Sequence, residues 1–191
     1  MPRMPDDPTV QSKAAAGLLN LANVVTFGRL CAVPLAFWLV VAHRIGDAFW
    51  LFAAAGLSDA VDGWLARRFG GNAVGALMDP IADKALLVTM YITLASIGLL
   101  PGWLAVLVVF RDLVIVGGVL ALAIAGHPVA IRPLSVSKLN TVLQIVLIAA
   151  SLLNGRFGLA IPGLTTVLTW CVVTSTIASG AAYVWITARG E

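Results

Sequence analysis

The sequence predicts an all-α membrane protein, a bundle of six transmembrane helices preceded by a short amphipathic helix. Three observations carry that expectation. Of 191 residues, 60% are hydrophobic and only 11% are charged, with a mean hydropathy of +0.99, which leaves too little polar surface for a soluble domain. Apolar runs close to the 20 or so residues that about 30 Å of hydrocarbon requires recur along the chain. Short clusters of turn-forming residues separate them.

Residues 1–22 read as a cytoplasmic tail and juxtamembrane helix. The tail holds Pro2, Pro5, Pro8, Asp6 and Asp7, and its acids and the lack of a clean cleavage site argue against a secretory signal. Leu18, Leu19 and Leu21 suit a short amphipathic helix on the membrane surface. The remaining domain, 23–188, holds six expected spans at 23–42, 47–67, 76–99, 102–125, 138–154 and 163–187. On one side the turn signals are His43-Arg44-Ile45-Gly46, Pro101-Gly102 and Asn154-Gly155-Arg156. On the other lie the Gly70-Gly71 turn and a longer stretch, 126–137. Arg3, Lys13, Arg67, Arg68, Arg132, Lys138 and Arg189 fall on that second side, against Arg44 and Arg156 on the first. By the positive-inside rule both termini and the second side are cytoplasmic, in the inner membrane if the source is bacterial.

The net charge of +3 does not point to nucleic acid, because no basic cluster with interleaved aromatics occurs. Cys31 and Cys171 stand in apolar runs without ligand spacing and are expected to be buried small hydrophobes. His43 and His127 fall at loops and read as surface histidines.

The chemistry concentrates between Asp59 and Asp83. Four of the nine acidic residues lie there, with Arg67 and Arg68 and four glycines, in a chain otherwise as apolar as a membrane span. An acid in such surroundings is a functional-site candidate by default, since membrane interiors seldom tolerate charge for stability alone. On helices, Asp59 and Asp62 (i,i+3) would share one face, and so would Asp79 and Asp83 (i,i+4). If the chain reverses at Gly70-Gly71, the two pairs meet at the same depth, about 10 Å inside the cytoplasmic face by helical rise. That gives an all-oxygen pocket suited to Mg²⁺ or Mn²⁺, with two cations about 4 Å apart able to neutralise a pyrophosphate. Gly63 and Gly75 would admit a ligand close to the helix backbone, and Arg67 offers a fork of donors for phosphate.

The run Asp59-x-x-Asp62-Gly63-x-x-Ala66-Arg67, seven residues, then Gly75-x-x-x-Asp79-x-x-x-Asp83 resembles the signature of the CDP-alcohol phosphatidyltransferases. That resemblance implies a six-span, homodimeric membrane enzyme that transfers a phosphatidyl group from CDP-diacylglycerol to an alcohol and releases CMP. It further implies that Asp59, Asp62 and Asp79 are metal ligands, and that Asp83 is the general base and a ligand of the second metal. Gly63, Ala66, Arg67 and Gly75 would line the CDP pocket. Asn23-x-x-Thr26-x-x-Arg29 with Pro34 resembles the first span of the glycerophospholipid branch, although Arg29 alone reads equally as a side chain snorkelling to the interface. Arg111-Asp112 resembles a basic-acidic pair of that branch, with a structural charge pair as the lesser alternative.

Ser137-Lys138-x-Asn140-Thr141-x-x-Gln144 looks most like the cardiolipin synthases of the CMP-forming type. Phosphatidylglycerol is therefore the expected acceptor and cardiolipin the product, with glycerol 3-phosphate as the alternative acceptor. Either acceptor carries a phosphate, for which Arg111, Arg132 and Lys138 are the candidate partners. A divalent-cation transporter is the rival from another class. It predicts carboxylates near the midplane and an internal repeat, and neither is evident. A non-catalytic scaffold would leave the aspartates without a purpose.

Overall fold

Long runs of Leu, Val, Ala and Ile without interior turn signals favour helices, and in the computed structural model every regular element among the described residues is helical. The structure describes residues 27–69, 73–124, 135–158 and 163–189; for 59, 60, 62–69, 73–82, 119–124, 135 and 184–189 it describes the backbone only. The elements are α1 (Phe27–Val41), α2 (Ile45–Phe69), α3 (Ala73–Ser96), α4 (Gly102–Ile124), α5 (Ser135–Phe157) and α6 (Leu164–Arg189). The expected amphipathic helix within 1–22 lies outside the described residues.

Two turns differ from expectation, and backbone geometry gives the reason. α3 closes through Leu99 N–H to Leu94 O (2.9 Å) and Gly98 N–H to Ala95 O (3.1 Å), the paired bonds of a Schellman motif. The motif places its next-to-last residue in the left-handed region, and Gly98 takes that position at φ 77°. The helix therefore stops before Pro101-Gly102. Similarly, α5 runs through Asn154-Gly155-Arg156 to Phe157 and is closed by Gly158, whose amide reaches Asn154 O at 2.9 Å. The α1–α2 turn falls where expected and uses the Schellman pair as well, with Arg44 N–H to Leu39 O at 2.8 Å and His43 N–H to Val40 O at 3.0 Å. Here the left-handed residue is His43, at φ 56°.

α5 is the hub of the bundle. It packs along α2 and α6 and touches α3, while α4 packs against α3 and α6. Leu147, Ile148 and Leu152 of α5 meet Met90, Tyr91 and Leu94 of α3, Leu104 and Val108 of α4 and Val172 of α6 in one buried core, which Ala36 and Val40 of α1 join. Asn140 and Gln144 lie in the same interior: Asn140 Oδ1 accepts hydrogen bonds from Ser175 Oγ (2.8 Å) and Thr176 Oγ1 (2.9 Å) of α6.

The outside of this bundle is more apolar than its inside allows for a protein in water. Phe27, Trp50, Leu57, Val106, Phe110 and Leu113 are each more than 60% exposed, whereas Arg29, Arg111, Asp112, Asn140 and Gln144 are buried. Large apolar exposed areas mark contact with lipid or protein. Two stretches among the described residues, Val136–Phe157 and Leu164–Tyr183, are long and apolar enough to cross a membrane; those at Phe27–Val41 and Ile45–Ser58 are shorter. Cys31 corrects the expectation of burial, being exposed, and Cys171 is half-buried. A small hydrophobe suits an apolar exterior as well as a core.

Candidate active site

Helix α2 carries Asp59, Asp62, Gly63, Ala66 and Arg67, and α3 carries Gly75, Asp79 and Asp83. Both segments are helical, so Asp59 shares a face with Asp62, and Asp79 with Asp83. The side chains of the first seven of these eight lie outside the described residues, as do the 70–72 turn and Arg132. The donor set available on the two helices is four carboxylates, with no histidine or cysteine between 58 and 84. Hard divalent cations fit such a set.

Asp83 is the described member, and its partner is Arg29 of α1. Arg29 Nη1 donates to Asp83 Oδ1 at 2.7 Å. The arginine side chain is 2% exposed and the aspartate 36%. Arg29 therefore does not snorkel to the interface. In the first described turn of α1 it points into the bundle, where a buried guanidinium requires a carboxylate.

The next residue along α3 opens a second link. Lys84 Nζ lies 2.6 Å from Asp112 Oδ2 of α4, and the other oxygen of Asp112 takes a hydrogen bond from Arg111 Nη1 at 2.7 Å. Consecutive residues on a helix point about 100° apart, so Asp83 faces α1 while Lys84 faces α4. Arg111 reaches further: its Nη2 donates to Ser137 Oγ of α5 at 2.8 Å and to Ser179 Oγ of α6. A chain of polar contacts thus runs from α1 through α3 and α4 to α5 and α6. Among the described residues, Arg29, Lys84 and Arg111 meet the carboxylates of Asp83 and Asp112. Asp83 and Lys84, at 36% and 38% exposure, form its accessible edge.

The proposed acceptor residues separate in the fold. Arg111 is buried, with both terminal nitrogens engaged inside the protein. Lys138 is exposed, one residue from the Ser137 that Arg111 holds.

The family model described as CDP-alcohol phosphatidyltransferase matches residues 19–178, which contain every charged residue of this cluster and all four aspartates. The chain belongs to the CDP-alcohol phosphatidyltransferase family. Among curated phosphatidyltransferases it is 38% identical over 184 residues to "CDP-diacylglycerol--glycerol-3-phosphate 3-phosphatidyltransferase 1, chloroplastic" of Oryza sativa subsp. japonica, covering 86% of this chain and 56% of that protein. It is 29% identical over 181 residues to "Cardiolipin synthase (CMP-forming)" of Rattus norvegicus, covering 86% and 60%. A CDP-diacylglycerol--glycerol-3-phosphate 3-phosphatidyltransferase of Bacillus subtilis (strain 168) is 31% identical over 187 residues, covering 87% of this chain and 94% of that one. The chain thus spans little more than half the length of the plant and rat proteins, and nearly all of the bacterial one.

Within this phosphatidyltransferase fold the contacts that carry no signal in the sequence are those of Arg29 with Asp83 and of Arg111 with the serines at 137 and 179. Lys84, a cation next to the aspartate motif in sequence, pairs with Asp112 of α4. Ser179 carried no sequence signal, because a serine in an apolar helix usually bonds its own backbone.

Proposed function

We propose that this chain is an integral membrane enzyme that transfers a phosphatidyl group from CDP-diacylglycerol to the hydroxyl of an anionic glycerol-based acceptor, with release of CMP. The single observation that carries the reading is the placement of Asp83: the residue matching the family's general base stands at the accessible edge of a buried charged cluster, with Arg29 donating to its Oδ1. Six spans, a cytoplasmic site and a homodimer complete the proposal. The apolar exterior, the buried charges and the basic residues of one side support it.

Asp59, Asp62 and Asp79, with Asp83, would hold one or two Mg²⁺ or Mn²⁺ ions, which when bound neutralise the pyrophosphate and the developing alkoxide. Gly63, Ala66, Arg67 and Gly75 would seat the CDP moiety, the glycines by leaving the backbone open and Arg67 by binding phosphate. Asp83 accepts the proton of the attacking hydroxyl. Its reference pKa of about 4 makes it a weak base in water, but the hydroxyl turns acidic only as its bond to phosphorus forms, so position matters more than basicity. Arg29 fixes that position from behind. The hydroxyl oxygen attacks the phosphorus that bears diacylglycerol, and the bond to the CMP oxygen breaks.

Two acceptors fit, each on its own observation. The run from Ser137 to Gln144 favours phosphatidylglycerol, giving cardiolipin, and the 29% identity to a cardiolipin synthase goes with it. The 38% identity to a glycerol-3-phosphate enzyme favours glycerol 3-phosphate. Asn140 is buried against α6, and Gln144 is buried with its backbone carbonyl accepting from Tyr91 Oη of α3, so two residues of that run serve packing as well as any specificity. The deciding assay supplies labelled CDP-diacylglycerol, Mg²⁺ or Mn²⁺ and each acceptor in turn to the reconstituted chain. No CMP release with either acceptor or with other alcohols would overturn the phosphatidyltransferase reading.

A further inference from the structure

The bundle carries a second charged site about 20 Å along α2 from the aspartates, by helical rise from Gly46 to Asp59. A cleft of roughly 370 Å³ opens there, lined by His43, Arg44, Gly46, Asp47 and Arg156 among others. Arg44 and Arg156 are the two basic residues that the sequence assigns to this side. They come from the α1–α2 turn and the last turn of α5, and the fold sets both in one cleft.

Such convergence of like charge calls for counter-charge, and the protein supplies half of it. Asp47, the one carboxylate of the lining, pairs with Arg44 at 2.6 Å. Arg156 has no carboxylate or hydrogen-bond acceptor among the described residues, and the neighbouring segment 159–162, Leu-Ala-Ile-Pro, contains no acid. Its position is nevertheless set. The stem lies against Gly46, where an added Cβ would fall 2.5 Å from its Cδ. Its guanidinium carbon sits 5.4 Å from the centroid of the Phe157 ring. Nη1 and Nε of the same guanidinium also lie close to Gly46 (2.5 and 2.6 Å from an added Cβ), so the group is held at the cleft wall, and a guanidinium without a carboxylate partner can bind phosphate oxygens in a fork. The first amides of α2 border the same cleft and lack helical partners, which adds partial positive charge. Trp50, 71% exposed one turn beyond Asp47, and Phe157, 60% exposed, place apolar surface beside it.

We propose that this cleft binds a phosphate group through Arg156 and Arg44, and that an anionic phospholipid headgroup is its source, with the acyl chains along the exposed aromatic side chains. The site is independent of the proposed catalytic reading, since none of its residues belongs to the aspartate cluster.

Phenylglyoxal modification of the full chain, read at Arg156 and Arg44 by peptide mass spectrometry, tests it. The reaction is run in phosphatidylcholine vesicles, in the same vesicles with inorganic phosphate, and in vesicles containing phosphatidylglycerol. Modification of Arg156 is expected to fall several-fold with phosphatidylglycerol. Protection by inorganic phosphate as well would support the phosphate site, whereas protection by inorganic phosphate alone would overturn the lipid source. Equal modification in all three would overturn the site. Arg156→Gln provides a second arm: the variant, purified in detergent, is expected to retain on the order of tenfold less phosphatidylglycerol than the parent chain by native mass spectrometry, with phosphatidylcholine retention unchanged. Undiminished retention in Arg44→Gln/Arg156→Gln would also overturn it.

Discussion

Arg29 Nη1 and Asp83 Oδ1 stand 2.7 Å apart, joining α1 to α3 across 54 residues of sequence. The arginine is buried and the aspartate is at the edge, so the pair is a fixed cation behind a reachable carboxylate. An arginine in this place holds the carboxylate's direction without competing for the open side.

Arg29→Met is therefore expected to lower kcat by about tenfold or more with a smaller change in the KM for CDP-diacylglycerol. The loss of stability should be about 1–3 kcal/mol, below the cost of breaking a fully buried pair because Asp83 retains access to water. The double variant with Asp83→Asn should be non-additive by at least about 0.5 kcal/mol in stability. Additive effects would show that the two residues act separately.

Asp59→Asn, Asp62→Asn and Asp79→Asn preserve side-chain size and remove the charge that would hold a cation. Each is expected to weaken Mn²⁺ binding, followed by electron paramagnetic resonance, and to reduce turnover by about a hundredfold or more, beyond the tenfold to hundredfold cost typical of altering groups that merely support a ligand. Unaltered Mn²⁺ binding in all three would remove the metal assignment.

Asp112 offsets both Lys84 and Arg111, and it is buried. Replacing it with Asn leaves two cations facing each other across α3 and α4. A loss of about 3–5 kcal/mol is expected, measured by reversible unfolding in mixed micelles. Asp47→Asn, which touches only an exposed pair, should change stability by less than about 1 kcal/mol.

Gly98→Ala should destabilise by about 1 kcal/mol through backbone conformation alone. The residue sits at φ 77° and a Cβ there would meet nothing within 4 Å. His43→Gly tests the same motif from the other side: it should stabilise, or leave stability unchanged, because glycine adopts φ 56° without strain.

Lys138→Ala is expected to raise the acceptor's KM more than that of CDP-diacylglycerol, whichever acceptor is used. Lys138 is exposed and next to Ser137, which the buried Arg111 anchors. Parallel changes in both constants would place Lys138 outside the acceptor site.

The sequence by itself determined the helices, because apolar runs of span length have no other way to satisfy their backbone away from water. It also singled out the candidate reactive stretch: charge is scarce in this chain, so four aspartates at helical spacing stand out, and their motif resembles one family. The turn after α5 was less legible. Gly155 reads as a turn residue, yet it stays helical because its missing side chain lets Leu99 of the neighbouring turn approach, with Leu99 Cδ1 only 3.0 Å from where a Cβ would lie.

Only the tertiary structure decided which charges meet. Spacing along one helix says which residues share a face, but it says nothing about what stands opposite, and Arg29–Asp83, Lys84–Asp112 and Arg111–Ser179 are all contacts between different helices. Arg29 illustrates the reason. A long cationic side chain two turns into a span can reach outward to the interface or inward to a carboxylate, and both satisfy its charge. The choice depends on whether packing brings an acid within reach, and α3 does so.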